Sequence, residues 1–417
     1  MARSTTFTYT VTVNSSKFVI DGNSQQYVVL FPGCTYEFNQ DDSTNNGQPL
    51  RFSETSDGTH NSGSEYTTGV TTSGTPGSAT AFTKIEVTES TPFILYYYSS
   101  ATSNYGGEVN VPNNFSTQGG QANRGVIKGV GSNSPGTLSN TMEVIDISTT
   151  ANSVDFGDAF FTGRNQNGTG CSNKTRGVIF SGLTPSYTNI IESHEFQSRG
   201  NGADFGNLSG SYIHSKGCGN ETRGIIYVSE DVSNYKNIIE FITIPSASNT
   251  TDFGDLTNAR GEGGACSSST RGLCMGGLTP SAQDVIDYVT IAALGNATDF
   301  GDLTVARRLG AGTGSSTRGV YMAGLTPSGN DTIDYVTIAS TGNATDFGNL
   351  STNFSNSAGL SNNVRGVNAG GQDPSAHSDV IQYITIASTG NATDFGDLSS
   401  ATKFAQGTSS NHGGLQG

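Results

Sequence analysis

Charge is scarce in this chain. Only 13% of its 417 residues are Asp, Glu, Lys or Arg, against about 25% in ordinary soluble domains. The charge present leans one way: 20 basic residues against 35 acidic ones leave a net charge of -15. Such a field repels phosphate backbones, and no Lys/Arg-rich run interrupts it, so a nucleic-acid partner is not expected. Tryptophan is absent. No stretch carries the apolar period of a helix, and no apolar run approaches the ~20 residues that cross a membrane, so membrane insertion is not expected either. The opening residues, Met1-Ala2-Arg3-Ser4-Thr5-Thr6, lack the apolar centre of a secretory signal, and synthesis in a cytoplasm is expected. The five histidines, His60, His194, His214, His377 and His412, show no metal-ligand spacing.

Glycine is what the chain has in excess: 56 residues, accompanied by many Ser, Thr and Asn. Short β-branched runs bounded by Gly, Asn and Asp predict an ordered all-β protein with many tight turns. Asp-Phe-Gly begins at Asp155, Asp204, Asp252, Asp299, Asp346 and Asp394, with successive gaps of 49, 48, 47, 47 and 48. Arg-Gly begins at Arg124, Arg176, Arg223, Arg271, Arg318 and Arg365, with gaps of 52, 47, 48, 47 and 47. One more step lands on His412-Gly413, a degenerate further copy.

Each period divides into four strands. In the best copy these are Arg308 to Gly314, Thr317 to Leu325, Thr332 to Ser340 and Asn343 to Leu350. Four strands in about 47 residues match a β-propeller blade, whereas solenoids need a shorter coil or caps. The chain enters at a second strand, Arg124, and leaves after a spare first strand, Thr402 to Thr408. That tail is expected to pair into the first blade and close the ring. Six blades result, or seven if the tail and residues 112–123 build one more.

Repetition also decides how the polar residues are read. The six Asp-Phe-Gly and six Arg-Gly copies are structural: Phe fills the gap between blades, Gly permits a turn, and Asp accepts backbone N–H bonds or pairs with a neighbouring Arg. An acid recurs at the third strand, 12 residues before each Asp-Phe-Gly, as Glu143, Glu192, Glu240, Asp287 and Asp334, with Gln382 in the last copy. It too is structural, since a partly buried charge must be paired. Cys171, Cys218 and Cys266 sit five residues before an Arg-Gly, where Thr313 and Leu360 stand later. These three, with the isolated Cys34 and Cys274, are read as reduced packing residues.

Residues 1–111 have a different grain, with seven or eight strands that predict a small sandwich. Tyr9-Thr10-Val11-Thr12-Val13, Pro32-Gly33-Cys34-Thr35-Tyr36-Glu37-Phe38, Pro49-Leu50-Arg51-Phe52-Ser53 and Leu95-Tyr96-Tyr97-Tyr98-Ser99 resemble a cupredoxin domain. More closely, they resemble the version carried by virion structural proteins of marine bacteriophages. That family orders its copper ligands as His-Pro-Leu-x-Phe, then Tyr-Tyr-Cys-x-x-His-x-x-Met-Gly-Gly. Here Gln48, Ser99, Thr102 and Tyr105 stand in the four ligand places, so the resemblance implies the fold without a copper centre, and no cofactor is expected. Asp334 to Leu350, with its near copy at 382–398, is similar to kelch-like repeats of marine phage proteins.

The expected architecture is therefore a cupredoxin-like β-sandwich (1–111), a linker (112–123) and a kelch-like β-propeller (124–417). The resemblance implies a non-enzymatic virion structural protein on capsid or tail, with a fibre-like appendage preferred. The sandwich would anchor it to other virion proteins. The propeller would face outward in many copies for host attachment, meeting a surface glycan or protein. Two alternatives stay open: a glycan-active propeller enzyme, which would need two carboxylates at a defined spacing, and a cellular adaptor.

Overall fold

The computed structural model describes residues 6–30, 34–88, 91–92, 94–111, 123–131, 138–163, 168–184, 186–198, 200–373 and 376–415. The chain is all-β. It divides into two compact units, Met1–Gly120 and Gln121–Gly417. Of the expected linker, 112–122 lie outside the described residues, as do Met1–Thr5, Pro32-Gly33 and Phe93.

In the first unit two sheets share one apolar core. One sheet runs Asn23–Ser24, Lys17–Ile20, Thr6–Asn14, Thr35–Asn39, Phe82–Glu86 and Val70–Ser73 in spatial order, and its first and fourth strands in the chain, Thr6–Asn14 and Thr35–Asn39, pair in parallel. The other runs Val28–Val29, Gly107–Asn110, Ile94–Ser99, Leu50–Ser53 and Glu65–Tyr66. Alternation turns Tyr36 and Phe38 from one sheet, and Leu50, Phe52, Leu95 and Tyr97 from the other, into a common cluster. Phe38 and Phe52 meet edge to face across the core at 5.4 Å.

The second unit repeats one device, a four-stranded antiparallel meander. Numbered round the unit, the second consists of Cys171–Ser172, Arg176–Thr184, Ser186–Glu195 and Ala203–Tyr212. The third is Lys216–Gly219, Arg223–Tyr227, Ile238–Thr243 and Thr251–Asp255, and the fourth Gly264–Ser267, Arg271–Leu278, Ala282–Thr290 and Thr298–Asp302. The fifth is Ala311–Gly314, Arg318–Met322, Asn330–Thr337 and Thr345–Phe354; the sixth is Ala358–Ser361, Arg365–Gln372, His377–Thr385 and Thr393–Thr402. The first is made from both ends of the unit: Gln406–Ser409 is its inner strand, paired antiparallel with Arg124–Lys128, and Ser139–Asp146 and Val154–Gly163 follow.

Neighbouring inner strands touch all the way round, from the second meander to the sixth and through Gln406–Ser409 back to the second. They approach so closely because their second residue is small. A Cβ on Gly312 would lie 2.2 Å from the Ala265 carbonyl, one on Gly359 2.3 Å from that of Gly312, and one on Gly407 2.5 Å from that of Gly359. Five seams between neighbours hold apolar clusters. Gly168–Thr169 enters the centre, pairing in parallel with Ala358 and Gln406, and joins the first and sixth meanders into one curled nine-stranded sheet.

Candidate functional site

The recurrent arginines and third-strand acids come first, because the structure gives each a partner in a neighbouring meander. An Nη1 of Arg176 donates to the Ile244 carbonyl, that of Arg223 to Ile291, of Arg271 to Ile338, of Arg318 to Ile386 and of Arg365 to Ile147, at 2.7–3.1 Å. Arg124 reaches the Phe196 carbonyl in the same way. Every arginine thus clips its own meander to the next, and the last clip returns to the first. Four of the guanidiniums also lie over a ring, at 4.6 Å on Phe241, 4.7 Å on Tyr288, 4.6 Å on Tyr335 and 4.4 Å on Tyr383.

The third-strand acids point the other way round. Asp287 accepts from Thr257 N–H and Oγ1 at 3.1 and 2.8 Å, and Asp334 from Thr304 at 3.0 and 2.7 Å, each in the preceding meander. Glu143 closes the circle on Ser399, and Gln382 takes the Ser351 N–H at 2.9 Å. Three of the acids also have a buried cation: Arg260 for Asp287 at 2.7 Å, Arg307 for Asp334 at 2.8 Å, and Lys128 for Glu192.

Asp-Phe-Gly differs from the expectation on two points. Its Asp is exposed in every copy, because the arginines are spent on carbonyls instead. Its Gly lies within the outermost strand rather than in a turn, at φ between 135° and 151°. Glycine is needed there for close approach. A Cβ on Gly301 would meet the Gly342 carbonyl carbon at 2.5 Å, and one on Gly396 the Ala151 oxygen at 2.5 Å. The Phe of each copy is 2% exposed.

All five cysteines are free thiols. Cys274, read as isolated, lies opposite Ala265 in the fourth meander, near Cys218 and Cys266. Burial pushes the Cys266 thiol up to about 12 and that of Cys274 to about 11, so these sulfurs are poor nucleophiles.

In the first unit, three of the four positions that the resemblance aligns with copper ligands come together. Ser99 Oγ donates to Gln48 Oε1 at 2.8 Å and accepts the N–H of Thr102 at 3.3 Å. His60 Nε2 contacts the Ser99 carbonyl at 2.9 Å. Tyr105 instead packs edge to face on Phe18 at 5.6 Å, inside the core.

The axis of the ring is narrow. Between Gly168–Thr169 and the C-terminal turn Gly413–Leu415 it retains a pocket of about 40 Å³ lined by Gly, Ala, Ser, Thr and Cys with Leu360 and His412, room for about three water molecules. His412 locks that turn, with Nε2 donating to the Ser172 carbonyl at 2.9 Å and Nδ1 accepting from Gly414 N–H at 3.1 Å. Beyond it opens a polar bowl of about 950 Å³, walled by the inner-to-second hairpins and lined by Lys174, Asn220, Glu221, Ser269, Ser316 and Asn363, with Leu415 also in its lining. Each hairpin is shaped by one side chain: Asn173, Asn220, Ser268, Ser315 and Asn362 accept the N–H of the Arg three residues on.

One cluster went unnoticed in the sequence. His214 Nδ1 lies 2.8 Å from Glu230 Oε1 and 3.8 Å from Glu262 Oε1, and Arg308 holds the other oxygen of Glu262. Lys216 is buried nearby, and the loss of hydration lowers its ammonium to about 7, with Glu262 the largest opposing influence. Among the described residues this is the one group of three or more His, Cys, Asp or Glu side chains with metal-ligating geometry. Its signal was departure from the repeat. Glu230 stands where Leu183, Leu278, Leu325 and Gln372 stand in other periods. His214, Glu262, Leu309 and Asn356 share one left-handed position, with φ of 56°, 59°, 58° and 59°. Comparison with protein families and with curated proteins finds no match to the chain.

Proposed function

We propose that this chain is a non-enzymatic structural protein of a bacteriophage particle, displayed on capsid or tail. In this reading the ring of meanders is a six-bladed, kelch-like β-propeller, and the first unit is a cupredoxin-like β-sandwich without a copper centre. The particle assignment rests on the resemblance in sequence. Six circularly linked four-stranded meanders support the propeller, and the two-residue strand Gly168–Thr169 is all that is left over in this unit among the described residues, too little for a seventh. Two sheets on one core, with Gln48, Ser99 and Thr102 converging, support the sandwich.

The single observation that carries the non-enzymatic reading is the narrowness of the axis. Propeller enzymes work in a central channel, and a 40 Å³ space cannot admit a substrate. Recognition is left to the faces, above all the bowl, whose Asn, Ser and Thr suit a host surface glycan or protein met in many copies. The sandwich anchors the chain to other virion proteins, and the particle assembles in the host cytoplasm. Mass spectrometry and labelled electron microscopy of purified particles test this: the protein copurifies at fixed stoichiometry, and its absence overturns the assignment. Metal analysis of the first unit is a second check, with stoichiometric copper contradicting the degenerate centre.

The Glu230–Glu262 pair favours one other reading, a glycan-active enzyme, since retaining hydrolysis uses two carboxyl groups about 5 Å apart. Turnover of host polysaccharide that vanishes in Glu230→Gln would establish it. We expect none.

A further inference from the structure

We propose that His214, Glu230 and Glu262 bind one divalent transition-metal ion, zinc best of all, and that this ion pins the third meander to the fourth. The inference holds whether or not the particle assignment does. Nδ1 of His214, one oxygen of Glu230 and one of Glu262 lie within 4.8 Å of one another. Two ligands of a tetrahedral zinc ion, each about 2.1 Å from the metal, stand about 3.4 Å apart. The 3.8 Å between His214 Nδ1 and Glu262 Oε1 is too long for a hydrogen bond and close to that spacing.

The arrangement also has the outer support that metal sites use. Arg308 takes Glu262 Oε2 and so turns Oε1 toward the imidazole. One nitrogen and two carboxylate oxygens suit zinc or manganese better than calcium, which takes six to eight oxygens. Ser215, next to His214 and 1% exposed, carries a hydroxyl without a hydrogen-bond partner.

Apolar packing does not call for the three residues, although Glu262 and Glu230 also offset the buried Lys216 ammonium. Leu occupies the Glu230 place in three other periods, and Leu309 and Asn356 occupy the place of His214 and Glu262 in the fifth and sixth. The fold is therefore built with neutral residues wherever this cluster is not. Only the third and fourth meanders, which are neighbours, carry the polar set, so its atoms meet across a single seam.

The repeat itself supplies a variant that keeps the fold. The full chain, stripped with chelator, is titrated with zinc by calorimetry and thermal unfolding, with manganese and calcium as further arms. One zinc per chain binds saturably and raises the unfolding temperature. Glu230→Leu installs the residue of the other periods: it keeps the circular dichroism spectrum and the chelator-state midpoint, but loses at least about tenfold in zinc affinity and the metal-dependent shift. His214→Asn, the residue of the sixth meander, does the same. The proposal is overturned if the wild-type chain takes no zinc, if calcium binds and zinc does not, or if both variants bind as the wild type does.

Discussion

In Met1–Gly120 the buried side chains of both sheets form one continuous aromatic-rich cluster, whereas in Gln121–Gly417 they are dispersed over separate clusters, each shared by two neighbours. A single core makes every strand answerable to one packing problem. A ring spreads stability over seams, each held by an arginine clip, a capped acid (Gln382 in its place between the fifth and sixth meanders) and a glycine contact, and each dependent on the circle being closed. The seams are not equal. Between the first and second meanders Glu192 takes its cation from Lys128, which stands in a place that Phe180, Tyr227, Met275, Met322 and Ala369 fill in the other periods. Lys128 lies over Phe161 at 5.1 Å, and His194 sits between Phe156 and Phe196 at 5.5 and 5.3 Å.

The largest test of this contrast is to open the circle. A chain ending at Lys403 lacks the strand Gln406–Ser409, and the second unit is expected to lose its cooperative calorimetric transition while that of the first unit stays. A second-unit transition at unchanged temperature would mean that the seams do not depend on closure.

Next in size is the polar seam. Lys128→Met supplies the kind of residue that Phe180, Tyr227, Met275 and Met322 provide in other periods, but it strands the Glu192 carboxylate, 3% exposed, without its cation. Urea unfolding should register a loss of about 3–5 kcal/mol, and adding Glu192→Gln should recover most of it. Equal losses in the single and double variants would show that the lysine stem, not the charge pair, holds the seam.

The same seam makes the ring acid-sensitive. Burial, aided by Lys128, lowers His194 to about 3, so the folded state keeps it neutral while the unfolded state protonates near 6.5. Unfolded chains then bind more protons below 6.5, and stability falls as the pH drops through that value, levelling only near 3. By pH 4 the loss is on the order of 3 kcal/mol, read as the midpoint of the second-unit transition. His412, lowered to about 4 by burial, acts in the same direction on the C-terminal turn. A midpoint indifferent to pH between 6.5 and 4 would contradict the polar seam.

Smallest is the loss of one clip. Arg318→Met gives up the bond to the Ile386 carbonyl and the stacking on Tyr335, together about 1–2 kcal/mol. Arg271→Met should cost the same, since its partners Ile338 and Tyr288 repeat the geometry. Unequal costs would show that apparently equivalent seams are not.

Much of this was legible along the chain. The spacing of Asp-Phe-Gly and Arg-Gly marked a period, β-branched alternation marked four strands within it, and the recurring third-strand acid marked a capped, buried site. What was misjudged depended on a neighbour. Asp-Phe-Gly looked like a turn because Gly usually serves turns, but the demand on Gly301 comes from Gly342 in the next meander. Cys274 looked isolated because its neighbours in space are 56 and 8 residues away in the chain, on other strands.

By itself the sequence determined that the protein is all-β, that the second unit repeats a four-stranded element, and which side chains face inward, because strand alternation and turn chemistry are local. Only the tertiary structure decided where the arginines spend their hydrogen bonds, that the axis is narrow, and that His214, Glu230 and Glu262 share one spot. His214 lies 16 and 48 positions from its two acids and Arg271 lies 67 from Ile338, and no local preference couples such distances. Such pairings arise when one meander is laid against the next, where backbone approach and buried charge set what each position can hold.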